Sequence, residues 1–71
     1  MDQAELYGEL DKAEADIVDG HARIERQRRL IAHLGRDGHN TEAAEELLQV
    51  LQQTLGAMEE HRRIIMTQLG R

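Results

Sequence analysis

The chain has 71 residues, which bounds it to one domain. It has no Phe, Trp, Cys or Pro and a single tyrosine, Tyr7, so any core is aliphatic and no disulfide braces it. The formal net charge of −5 argues against nucleic acid as a general partner, because phosphate contacts need a basic field.

The first twenty residues carry seven acids against Lys12 and hold no apolar core segment, which argues against a secretory signal. No apolar run approaches a membrane span in length. These features predict a soluble, cytoplasmic protein without a membrane partner.

The first long element has apolar or small residues at alternating four- and three-residue steps: Leu6, Leu10, Ala13, Ile17, Gly20, Ile24, Gln27, Ile31 and Leu34. This is a heptad seam, and it predicts a helix over about 2–34. A breaker follows at 35–40, where Gly35 and Gly38 are expected to stop the helix and adopt positive φ, and Asp37-Gly38 signals a turn. Asn40 or Thr41 then caps a second helix over about 41–69; the pattern leaves the choice between them open. Its seam runs Ala44, Leu48, Leu51, Leu55, Met58, Arg62, Ile65 and Leu69.

Folding the chain at the breaker pairs Leu6 with Leu69, Leu10 with Ile65, Ile17 with Met58, Gly20 with Leu55, Ile24 with Leu51, and Ile31 with Ala44. Small residues then face large ones, as interdigitating layers require. The predicted fold is therefore all-α, an antiparallel helical hairpin. Its core is Leu10, Ile17, Ile24, Ile31, Leu48, Leu51, Leu55, Met58 and Ile65. Gln27 and Arg62 interrupt the seam and are expected to fix register, with the Arg62 guanidinium reaching Glu9, Glu14 or Asp16.

Charge follows the same plan. Residues 1–20 carry net −6, 21–39 net +3, 40–56 net −3 and 57–71 net +1. Each sign suits the dipole of its own helix end.

The second helix carries another seam, through Ala43, Leu47, Val50, Thr54, Ala57, His61, Ile64 and Gln68, roughly 110° around from the first at 100° per residue. In a single hairpin this face has no neighbour. Small chains without disulfides or metals commonly gain stability by oligomerising. The expectation is a homodimer forming a four-helix bundle, with Leu47, Val50, Thr54, Ala57, His61 and Ile64 at the interface. A two-fold axis near Gly56, where Thr54, Gly56 and Ala57 are small, would run helix 2 antiparallel to its mate. Helix 1 offers a weaker apolar row in Ala4, Tyr7, Val18, His21 and Ala32.

The stretch RQRRLIAHLGRDGHNTEAAEELL, from Arg26 to Leu48, resembles short bacterial two-helix proteins of unknown function that share an RQR-x-LI, RDGH-x-T and LL pattern around the bend. The resemblance covers about a third of the chain. It implies a hairpin in a bacterial cytoplasm and carries over no activity. The architecture is also similar to plasmid Rop-type RNA regulators, as a helical hairpin without a shared motif.

Chemistry-bearing residues are sparse. Arg23, Arg26, Arg28 and Arg29, with Arg36 beyond, are candidate phosphate contacts. The competing expectation is a charge match to Glu42, Glu45 and Glu46 across the hairpin. The four histidines, His21, His33, His39 and His61, lack metal-ligand spacing, so no metal is expected. His39 suits a turn or cap and His61 a polar interface position. With no Ser, no Cys and no phosphate loop, neither catalysis nor a cofactor nor a small-molecule substrate is expected. The leading expectation is a non-enzymatic interaction or regulatory module whose partner is itself. The alternatives are a small nucleic-acid-associated regulator using the Arg-rich segment, and an antitoxin-like protein whose acidic helix 1 docks on a basic partner.

Overall fold

The computed structural model describes residues 2–70. Two helices, α1 (Gln3–Arg36) and α2 (Glu42–Gln68), pack against each other along a hairpin of 53 × 15 × 14 Å. Asp2 begins α1. Its backbone is extended, and its carboxylate accepts a hydrogen bond from the Glu5 N–H at 2.8 Å, satisfying one of the donors a helix start leaves free.

The first helix ends later than its sequence suggests. It runs through Gly35 to Arg36, and of the two bend glycines only Gly38 has positive φ, at 77°. The His39 N–H donates to the Leu34 carbonyl at 2.9 Å, and the Gly38 N–H to the Gly35 carbonyl at 3.1 Å. This is the paired-bond motif that closes a helix on a left-handed residue, and it places that residue at 38. Gly35 is therefore an ordinary helical residue, and its expected positive φ is corrected.

The choice of cap for α2 resolves by division of labour. The Asn40 Oδ1 accepts from the Glu42 N–H at 2.8 Å, while the Thr41 carbonyl accepts from the Glu45 N–H at 2.9 Å. The Thr41 side chain makes no capping bond.

Every described α1 residue that is not fully exposed lies on the seam running from Leu6 to Leu34. In α2 the same holds for the seam from Ala44 to Leu69, with Met66 added. Burial is deepest at the open end, where Leu6, Leu10, Ala13 and Ile65 form one cluster under Met66 and Leu69. Toward the bend, Ile31, Leu34, Ala44, Leu48 and Leu51 are only half-buried. The helices approach closely at Gly20, where an added Cβ would meet Leu55 Cδ1 at 3.2 Å and Met58 Sδ at 3.6 Å.

Gln27 sits in this seam at 8% exposure and does not lack a partner: its Nε2 donates to the Ala44 carbonyl at 2.8 Å. A buried amide is tolerated when bonded. This bond joins the two helices across the seam. No helix among the described residues is long and apolar enough to cross a membrane.

Candidate functional site

The hairpin has two faces, and they differ in chemistry. One carries a shallow open groove. His21, Glu25 and Arg28 of α1 line it together with Gln52, Gly56 and Glu59 of α2. Its continuation toward the open end is lined by Glu14, Ile17, Val18, Glu59 and Arg62. The one contact of a basic side chain with a carboxylate that crosses between helices among the described residues lies here, His21 Nε2 to Glu59 Oε1 at 4.0 Å.

The opposite face carries the second seam of α2. All of Ala43, Leu47, Val50, Thr54, Ala57, His61, Ile64 and Gln68 are exposed. Leu47 is 48% exposed, Val50 54% and Ile64 43%. Helical geometry puts this row on the far side of the Leu55 seam from Gln52, Gly56 and Glu59, at about 100° per residue. Gly56 therefore belongs to the groove face and not to the small-residue patch expected around Thr54 and Ala57. The Thr54 hydroxyl donates to the Val50 carbonyl of its own helix at 2.9 Å, so this side chain needs no water for its proton.

The weak apolar row of helix 1 is divided from this surface. Val18 and His21 line the groove, so they open onto the face opposite Leu47 and Val50. On the α2-seam face, α1 instead presents Glu9, Lys12, Asp16, Asp19 and Arg23, then Leu30 near the bend, by the same wheel. Leu30 is 45% exposed and extends the apolar patch beside Leu47. Its position off both heptad rows gives it no periodic signal in the sequence.

The arginine cluster does not make the expected match to Glu42, Glu45 and Glu46. Arg23 Nε pairs with Asp19 at 2.9 Å and Arg29 Nε with Glu25 at 3.4 Å, both within α1. One turn back along a helix is nearer than the acids of the other helix, which point outward. Arg26, Arg28 and Arg36 are exposed, and none takes part in an ion pair among the described residues. Arg62 is half-buried beside Glu14 and Glu59 in the groove. It too is outside the ion pairs, so the expected bridge to Glu9, Glu14 or Asp16 is not formed.

His33 pairs with Asp37 at 3.2 Å across the last turn of α1, and the backbone of His39 closes that helix. His61 is exposed on the second seam. No three metal-ligating side chains cluster among the described residues. On the surface of α2, Arg63 holds Glu60 in a two-pronged contact at 2.9 and 2.6 Å. These hydrogen bonds hold the Glu60 carboxyl below the usual carboxylate range and raise Arg63.

The chain exposes 5222 Å². A compact protein of its 8.1 kDa would expose about 4500 Å². The excess of about 700 Å² follows from the elongated shape of the hairpin, 53 × 15 × 14 Å. No family model, curated protein or solved structure matches the chain.

Proposed function

We propose that this chain works as a homodimeric helical hairpin, a non-enzymatic interaction or regulatory module of the bacterial cytoplasm, assembled as a four-helix bundle. One observation carries the reading: Leu47, Val50 and Ile64 lie exposed on a single row of α2 at heptad spacing. Apolar side chains repeated along one helix line are the pattern of a helix that touches two neighbours, and the hairpin supplies one.

Sedimentation of the wild-type chain at micromolar concentration tests it. A dimer mass is expected. Val50→Glu combined with Ala57→Glu should dissociate the dimer and lower helicity together, because small obligate dimers often lack a stable monomer. A well-folded wild-type monomer at that concentration overturns the reading.

A second reading has its own support. Arg26, Arg28 and Arg36 are exposed and take part in no ion pair among the described residues, so a small nucleic-acid-associated regulator would use this segment. Binding of a short RNA or DNA duplex that weakens steeply as salt rises would favour it. Hydrophobic self-association should not weaken in that way.

A further inference from the structure

We propose that the partner on the second seam is another copy laid face to face and antiparallel, α2 on α2 and α1 on α1, with Asp16 of each copy against Arg23 of the other. The inference rests on the homodimer reading and specifies its geometry.

Two face-to-face arrangements preserve two-fold symmetry. With both bends at one end, α2 lies over the partner's α1. Leu47, Val50 and Ile64 would then press on Glu9, Lys12, Asp16, Asp19 and Arg23, burying charges against apolar groups. With the bends at opposite ends, each helix lies over its own counterpart. The apolar row of α2 meets its own copy, and the middle of the α1 row, Asp16, Asp19 and Arg23, meets its own copy.

Charge separates the two arrangements further. The open end, residues 1–20 with 57–71, carries −5, while residues 21–56 sum to zero. Bends together would stack both acidic ends. Bends apart hold those ends about 50 Å from each other, several screening lengths of roughly 10 Å. That arrangement also sets the −6 half of α1 over the +3 half of the partner's α1, and the −3 half of α2 over the partner's +1 half.

Register follows from the small residues. Setting Thr54 opposite the partner's Ala57 puts Val50 opposite the partner's His61 and Leu47 opposite the partner's Ile64. Thr54 suits the centre because its hydroxyl is already bonded to Val50 of its own helix. In each hairpin Gly20 lies against Leu55, so in antiparallel helices Asp16 comes level with Glu59, and Arg23 with Gln52. The same register places Glu59 level with the partner's Gln52. Asp16 therefore comes level with the partner's Arg23, and Arg23 with the partner's Asp16. Arg23, already paired with Asp19 at 2.9 Å, gains an acid on its other side.

Two measurements test this. The chain has no cysteine, so Arg36→Cys carries a spin label without background. The expected separation between labels in the dimer is about 50 Å, one helix length. A separation under about 25 Å overturns the arrangement while leaving the dimer intact; a monomer mass by sedimentation overturns the dimer reading itself. In parallel, Asp16→Arg should weaken dimerisation about tenfold, since it sets two like-charge contacts in each dimer. Adding Arg23→Asp should restore affinity to within about threefold of wild type. A double variant that binds no better than Asp16→Arg overturns the contact.

Discussion

Helix α2 carries two apolar rows of the same heptad spacing with opposite fates. Along the row through Leu55 and Ile65, every member is buried or half-buried against α1. Along the row through Leu47, Val50 and Ile64, every member faces solvent. The difference lies in what stands opposite. The turn at Gly38 returns the chain so that α1 covers one row and leaves the other open. Spacing thus reveals a face that favours burial, and chain topology decides whether the same chain buries it.

The largest test of this contrast replaces one residue in each row. Leu55→Ala should cost about 2–5 kcal/mol, as large-to-small changes in packed cores do. The loss should be the same at every protein concentration if it reports contacts within the hairpin. Leu47→Ala should cost less, about 1–2 kcal/mol, and wild type and both variants alike should melt lower on dilution if folding and dimerisation are one step. A loss for Leu47→Ala as large as that for Leu55→Ala would mean that the two rows contribute alike to the folded state.

The bend offers the next largest effect. Gly38→Val forces a β-branched residue into φ of 77° and should destabilise the hairpin by about 2 kcal/mol in chemical denaturation. Gly35→Ala should stabilise it by roughly 0.5–1 kcal/mol, since Gly35 is helical with open space around its Cα. Loss of stability in both variants would show that both glycines need the left-handed region.

Gln27→Ala should cost about 1–2 kcal/mol, from a lost hydrogen bond and a small cavity. Gln27→Leu should come close to wild-type stability, because the Ala44 carbonyl keeps its place in the α2 backbone ladder. If Gln27→Leu were as damaging as Gln27→Ala, the bond to Ala44 would matter more than the volume.

Two further glycines compare the groove with the core. Gly56 has open space around it, so Gly56→Ala should stabilise by about 1 kcal/mol through helix propensity alone. At Gly20 the same gain is offset, because Leu55 Cδ1 at 3.2 Å must give way. Gly20→Ala should therefore be the less stable variant of the two.

The smallest effect is electrostatic. Arg63 lowers the Glu60 pKa, so this pair favours the folded state above the ordinary carboxylate range and loses that contribution as pH falls through the lowered value. Arg63→Ala should return Glu60 to the ordinary range in an NMR titration. Both groups are solvent-exposed, so the melting temperature should scarcely move.

The sequence alone determined the two helices, the bend and the buried seam. Heptad spacing is a local property of an α-helix, and residues 6 through 34 and 44 through 69 kept it. It also identified the second row of α2, though not its covering. Where the left-handed residue falls was decided by local capping geometry, since Gly35 and Gly38 are alike in sequence and hydrogen bonds from Gly38 and His39 back to the last turn of α1 select Gly38. Tertiary structure gave Gln27 its acceptor, and it showed that Arg23 and Arg29 answer acids one turn back instead of across the hairpin. It separated Val18 and His21 from Leu47 and Val50 as well. Which side of the hairpin a residue occupies depends on how the two helices are rotated against each other, and periodicity along either helix alone does not contain that rotation.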